Sequence, residues 1–289
     1  MTSKVKGLVF MKKRLNVENL GRAVLFLSIL AASIIMLLPF LWMLSTSFKE
    51  PKAVFGLQLQ LIPNPVVTDN YKRIFEVLPF SRFYWNSIIT SASVTILQLV
   101  TCSFAGYAFA RLRFPGRDTL FLGYLATLMI PGQVTIIPNF ILLRILGWID
   151  TYQALILPNA FSAFGTFLLR QFFSTLPADL EDAAKIDGCS YFGIYRHVIL
   201  PLSKPALSSL TVFTWLGQWN SFIWPLIVIN SVEMNTLTVG LRTLQGQYNT
   251  QWTLLMSGSV LALLPVLILF VLAQRTFISG MALSGMGGR

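Results

Sequence analysis

The side chains of this chain that could act on a solute are neutral amides. Asn86, Gln98, Gln133, Asn139, Asn159, Gln218 and Asn220 all fall inside long apolar runs. An amide taken out of water must be hydrogen-bonded or wet. With Trp215, Trp219 and Phe222 nearby in sequence, such groups could bond the hydroxyls of a sugar while the rings stack on its apolar faces. Trp215, Gln218, Trp219 and Asn220 form the tightest such group and stand as candidate substrate-pathway residues. The same amides also serve for hydrogen bonds between helices. Trp219 and Trp224 equally suit an interfacial aromatic belt.

Other chemistries find no residues. No Asp, Glu or His lies inside an apolar run, whereas a proton-coupled carrier needs a titratable group there. There is no Ser-His-Asp or Cys-His set, and the single histidine, His197, has no metal-ligand neighbours in sequence. A GxxxxGK[ST] phosphate loop is also missing. No catalytic or metal residue and no cofactor is therefore expected in this chain, and it reads as a non-enzyme. If ATP drives it, another chain binds the ATP and its Mg.

The elements that must position these residues are membrane spans. Of 289 residues 55% are hydrophobic and 11% charged, against about 25% charged in a soluble domain. The net charge of +11 lies in loops beside apolar runs, which suits topology and anionic lipid heads rather than nucleic acid. Cys102 sits in an apolar run and Cys189 in a polar loop, so no disulfide is expected. The expectation is an all-α polytopic membrane protein with six transmembrane helices: 23–48, 83–110, 119 to about 140, 153–173, 205–229 and 254 to about 273. Each is long enough for the about 20 residues a crossing needs. The first run is too long for a signal peptide's core and lacks a small-x-small cleavage site before Lys49. Pro39 is expected to kink it, and Met129-Ile-Pro-Gly-Gln133 to break the third span. The stretch 70–75 reads as a short amphipathic piece, 230–251 as an outer loop and 275–289 as an extended tail. With the N-terminus inside, lysines and arginines are about twice as numerous on the inner side. Both termini and the loop after the fourth span are then cytoplasmic.

That loop, Pro177 to Pro205, is the longest non-membrane segment after the N-terminal third. It reads as two short helices about a glycine. Pro177 suits a first helical turn, and Asp179, Glu181 and Asp182 place negative charge at the positive end of the dipole. Gly188 can take the left-handed conformation that closes a helix, and Ser190 can cap the next. Tyr191, Ile194, Tyr195 and Val198 share one face, and Pro201 is expected to end that helix. A DNA-binding helix-turn-helix finds only Arg196 and His197 on its second helix, in a segment slightly acidic overall.

Glu181-Asp182-Ala183-Ala184, Asp187-Gly188 and Ile199-Leu200-Pro201 resemble the "EAA" loop of bacterial ABC importer permeases. Asp182 interrupts the usual Glu-Ala-Ala. Further likeness to the carbohydrate uptake group lies in Asn70-Tyr71, Arg111-Leu-Arg113-Phe-Pro-Gly116, Trp219-Asn220-Ser-Phe-Ile-Trp224-Pro225, Thr236-Leu237-Thr238-Val239-Gly240-Leu241, Gln245-Gly246-Gln247-Tyr248 and Trp252-x-Leu-Leu-Met-x-Gly-Ser259. The resemblance implies a type I ABC importer permease fold in a bacterial cytoplasmic (inner) membrane. It divides the chain into a cytoplasmic segment 1–22, a first helix and outer loop 23–81, a transmembrane type-1 domain 82–275 holding the loop 177–205, and a tail 276–289. It implies a second homologous permease subunit, two ATP-binding subunits, an extracellular or periplasmic sugar-binding protein and membrane lipid as partners, and no nucleic acid. Glu181, Asp182, Ala183, Ala184, Asp187, Gly188, Leu200 and Pro201 would couple to the ATPases, and 230–251 would reach the binding protein. The cargo implied is an oligosaccharide. Another polar solute such as a glycerol phosphate ester, or a self-sufficient carrier or channel, remain as alternatives.

Overall fold

A computed structural model describes residues 2–56, 61–246 and 250–286, with side chains at 21–56, 61–246 and 250–274. Among them the chain is helical, with no strand beyond an isolated bridge between Gln245 and Thr250. It divides into two units, Met1–Tyr71 with Gln251–Val260, and Lys72–Thr250 with Leu261–Arg289.

The first unit is built on α1 (Thr2–Ser47), which runs through Pro39 without interruption. The helix continues past Pro39 because one proline removes one intrahelical bond and a long apolar helix keeps the rest. Its C-terminal carbonyls find partners. The Asn70 amide donates to the carbonyls of Ser47 and Lys49 at 3.0 and 2.9 Å, and the Ser257 hydroxyl donates to Ser47 at 3.2 Å. Asn70 opens α2 (Asn70–Val77), as the amphipathic reading anticipates.

The second unit is organised around α3 (Phe80–Arg111). Against it pack α7 (Ala163–Thr175) and α11 (Lys204–Trp219). Between membrane helices the drive is close packing, so small residues belong at the contact. A methyl group on Gly106 would stand 3.1 Å from the Leu169 Cβ and the Arg170 nitrogen, and one on Gly165 2.9 Å from the Cys102 sulfur. Hydroxyls fasten the same seam: Thr101 donates to the Ala160 carbonyl at 2.8 Å.

Between α3 and α7 lie α4 (Arg117–Ala126), α5 (Gly132–Ile145) and α6 (Tyr152–Ile156). The expected break of the third span is present: α4 with its terminal turn meets α5 at 98° across Ile130-Pro131. The fourth span bends by 42° before α7. The fifth is divided at Asn220–Phe222 into α11 and α12 (Ile223–Val228). Among the described residues three helices are long and apolar enough to cross a membrane, or up to five if each bent pair is one span. The 16 residues of α11 fall short of the about 20 a straight crossing needs.

Two further differences concern the ends of the outer loop and the chain. The segment 230–251 carries α13 (Leu237–Arg242), whose Leu237, Val239, Gly240 and Leu241 are buried. Gly240 allows this: a Cβ there would lie 2.1 Å from the ring of Phe83. As far as Met286 the tail is helical rather than extended, because α14 runs from Trp252 to Met286. The Met, Ala and Leu residues between its glycines favour helix, and no proline interrupts it after Pro265. Gln247, Tyr248 and Arg289 lie outside the described residues.

Candidate functional sites: a charged elbow and a neutral cavity

The segment after α7 folds into an elbow of α8 (Asp179–Ile186), α9 (Tyr191–Ile194), a π turn over Tyr195–Ile199 and α10 (Leu200–Leu202). Helix α8 starts two residues after Pro177 rather than on it. A proline holds its predecessor extended, and Leu176 accordingly has ψ 141°. Gly188 closes α8 at φ +80°, with its N–H donating to the Lys185 carbonyl at 3.0 Å and that of Cys189 to Ala184 at 2.9 Å. The Ser190 hydroxyl caps α9 by accepting the Gly193 N–H at 3.2 Å. Both local signals of the sequence are realised.

Pro201 does not end the second helix. The Leu200 N–H donates to the Tyr195 carbonyl five residues back, and the helical path continues to Leu202. A widened turn ahead of a proline relieves the clash of its ring with the carbonyl four residues earlier. The wider turn also shifts the buried face. Ile194, Tyr195 and Ile199 are buried, while Val198 is half-buried and Tyr191 is exposed.

The coupling candidates therefore divide between two faces. Glu181 is only 7% exposed and Ala184 is also buried. Asp182, Ala183, Asp187, Gly188 and Pro201 are exposed, and Leu200 is half-buried. Beside them on the outer face stand Phe192 and Ile186, the latter 87% exposed. Asp182 pairs with Lys185 at 2.9 Å, and that hydrogen bond holds the lysine ammonium above its ordinary pKa.

Glu181 turns inward to Arg111, the last residue of α3, at 3.0 Å between Oε1 and Nε. The two atoms lack hydrogen-bond alignment, so the contact is an ion pair. The Arg111 Nη2 donates to the carbonyls of Phe173 and Leu176. Terminal carbonyls of a helix need such donors. One guanidinium thus joins the ends of α3 and α7 to the elbow. A second link is the hydroxyl pair Ser103–Tyr195 at 2.7 Å, and a third runs from the Tyr107 hydroxyl to the Tyr191 carbonyl at 3.2 Å. Arg111, Tyr195 and Tyr107 are not among the coupling candidates. The only signal for Arg111 was its place at the start of a basic turn. Beside the pair, a cleft of about 570 Å³ is lined by Arg111, Arg113, Arg117, Glu181, Asp182 and Lys185.

Elsewhere in the same unit α5, the turn after α6 and the start of α12 line an open cavity of about 710 Å³. Four of the seven amides line it: Gln133, Asn139, Asn159 and Asn220. Among the described residues no charged one does. Among the described residues the Gln133 and Asn139 side chains have no hydrogen-bond partner. Asn159 donates to Leu155 at 3.1 Å and Asn220 to Leu216 at 2.9 Å, each leaving its amide oxygen free. Trp224 also lines the cavity, its Nε1 fixed to the Ala154 carbonyl at 2.9 Å.

Of the remaining three amides, Asn86 and Gln98 are tied into the fold. Asn86 donates to the carbonyls of Glu233 and Asn235 and accepts from the Tyr152 hydroxyl at 2.6 Å. Gln98 donates to Asn159 at 2.7 Å and accepts from Thr214 at 2.9 Å. Of the four substrate-pathway candidates only Asn220 reaches the cavity. Trp219 is 4% exposed, with Nε1 on the Ala262 carbonyl at 3.1 Å and its ring edge-on to Tyr84. Trp215 stacks on Trp219 at 6.0 Å, and Gln218 is half-buried outside the cavity lining.

Near the outer loop, Asp150 takes φ +62° and accepts the N–H groups of Asn230 and Ser231 at 3.0 Å and the Ser231 hydroxyl at 2.9 Å. Burial alone would raise its pKa, but these donors together hold the carboxyl below its ordinary value.

Known proteins share this sequence and architecture. The arabinooligosaccharides transport system permease protein AraQ of Bacillus subtilis is 37% identical over 270 residues, covering 92% of this chain and 96% of AraQ. The sn-glycerol-3-phosphate transport system permease protein UgpE of Salmonella choleraesuis is 35% identical over 80% of this chain and 85% of UgpE. A chain from the crystal structure of a bacterial ABC transporter involved in the import of the acidic polysaccharide alginate superposes with a TM-score of 0.80 at 25% identity, covering 91% of this chain and 97% of that one. Residues 103–282, which hold the elbow, the cavity and the helices around them, match the binding-protein-dependent transport system inner membrane component family, and the chain belongs to that family.

Proposed function

We propose that this chain is one membrane subunit of an ATP-driven, binding-protein-dependent importer of a sugar, with an oligosaccharide as cargo. The observation that carries the reading is the elbow. Its inner face is tied by Arg111, Ser103 and Tyr107 to the spans, and its outer face leaves Ile186, Phe192 and the Asp182–Gly188 rim uncovered. A rigid body with one fixed and one open face can receive a push and pass it on. Two ATP-binding subunits would supply that push from the cytosol, binding the ATP and Mg themselves.

The remaining parts follow. Six crossings with both termini inside would include α11 and α12 as one broken span. A second homologous permease would complete the pathway, and lipid and that partner would cover the exposed apolar flanks of α1, α4, α5 and α14. An extracellular or periplasmic binding protein would deliver the sugar near 230–251. AraQ supports the oligosaccharide cargo. UgpE supports a second reading, a glycerol phosphate ester carried by the same machine.

Gly188 supplies the test. A side chain there meets open space, so a substitution acts through the left-handed backbone alone, at a cost of about 1–2 kcal/mol. In the assembled complex Gly188→Val is expected to leave assembly intact and to uncouple ATP hydrolysis from sugar uptake. Unchanged sugar-dependent hydrolysis and uptake would remove the coupling role. Flux through this chain reconstituted alone, without ATPase partners, would establish the self-sufficient carrier instead.

A further inference from the structure

The importer reading leaves open whether the cargo is neutral or anionic. We infer that the cavity between α5 and α12 is a sugar subsite contributed by this subunit, and that it takes an uncharged, hydroxyl-rich ring rather than a phosphorylated or acidic one. The inference rests on the importer reading and adds to it the chemical class of cargo.

The wall has the groups a neutral sugar needs. The unpartnered amides of Gln133 and Asn139 each offer two N–H donors and one oxygen acceptor. A sugar hydroxyl is both donor and acceptor, so neighbouring hydroxyls can bond one amide through both of its ends. Thr135 donates its own proton to Gly132 at 2.8 Å and presents only acceptor lone pairs. Trp224 provides a flat apolar surface whose orientation is fixed by its indole N–H on Ala154. At about 710 Å³ the space lies within the about 300–1,000 Å³ of ordinary ligand sites.

The wall lacks what an anion needs. Among the described residues no lysine, arginine or histidine lines it. Arg242 packs over the Phe222 ring at 5.9 Å but is not part of the lining. The N-terminus of α5 opens on the cavity at Gly132 and is equivalent to about half a positive charge. A phosphate monoester carries about −1.5 to −2, so it would enter largely uncompensated. With no cationic side chain to pair with, such a charge gains little there over what water already gives it.

The experiment uses the whole importer, with its second permease, ATPases and binding protein, in proteoliposomes. ATP-dependent uptake is measured for arabinotriose and maltotriose as neutral probes, and for glycerol 3-phosphate and trigalacturonate as anionic ones. Uptake of a neutral probe and of neither anion is expected. Gln133→Leu and Asn139→Leu should each lower neutral uptake about tenfold, with complex assembly and sugar affinity of the isolated binding protein unchanged. Import of either anion, failure to import both neutral probes by a complex that hydrolyses ATP with its binding protein, or uptake untouched in both leucine variants overturns the inference. A complex whose ATP hydrolysis does not respond to the binding protein and which imports no probe contradicts the importer reading itself.

Discussion

At the elbow the polar groups are committed to the chain's own backbone and side chains, whereas in the cavity they are left open. Arg111 contacts Glu181 and two carbonyls at the end of α7. The Gln133 and Asn139 side chains make no hydrogen bond among the described residues. The elbow cleft is lined by six charged side chains together with other residues, and the cavity by none. An ion pair flanked by carbonyl and hydroxyl bonds holds together the parts it joins, which suits a part that transmits force. Unsatisfied neutral groups facing open space suit a part that exchanges partners. The two regions lie in one unit, so the same helices can serve both.

Substitution can break this contrast, with the largest effect at the elbow. Arg111→Ala leaves Glu181 buried without its partner and uncaps α7, and should destabilise the unit by about 3–5 kcal/mol. Glu181→Ala should cost less after Arg111→Ala than alone, which thermal unfolding of the single and double variants in detergent would reveal. Additive losses would mean the pair does not act as one joint.

A smaller effect is expected at Asp150. Its carboxyl pKa lies below the ordinary carboxylate value, so its contribution is present above that ordinary value and is lost as pH falls through the lowered one. Hydrogen exchange at the Asn230 and Ser231 amides should accordingly lose protection in acid. Asn tolerates the left-handed conformation as Asp does. Asp150→Asn should therefore keep the turn, lower protection by about 1 kcal/mol at neutral pH, and abolish the acid transition. Persistence of that transition in the variant would assign it to another group.

The smallest stability effect is expected in the cavity. Gln133→Leu removes no internal bond and should shift unfolding by no more than about 0.5 kcal/mol. A loss near that of Arg111→Ala would erase the contrast, because the amide would then be structural.

Much of the elbow was legible because its signals are local. Gly188 at a left-handed turn and Ser190 three residues before the N–H it caps need only neighbours in sequence. The Glu181–Arg111 pair was not legible, since it joins residues far apart and depends on where α3 ends. The π turn was missed because a 3.6-residue period was assumed through Pro201, and the turn moved burial from Val198 to Ile199. The division of the amides was likewise hidden. Asn86 and Gln98 look no different in sequence from Gln133 and Asn139, and only distant carbonyls and hydroxyls separate them. Helix breaks were readable at Ile130-Pro131 but not the helix through 275–286, where glycines were read as loop and their helix-forming neighbours outweighed them.

The account depends most on the elbow standing in the cytosol and being gripped there. The two cysteines of the chain differ, Cys102 in α3 buried and Cys189 in the elbow exposed, so a membrane-impermeant thiol reagent reads the elbow alone. Labelling of Cys189 is expected only from the cytoplasmic face of the membrane, in inside-out vesicles, and is expected to fall when the ATP-binding subunits are present. Labelling in sealed right-side-out vesicles, or labelling indifferent to those subunits, would contradict the account.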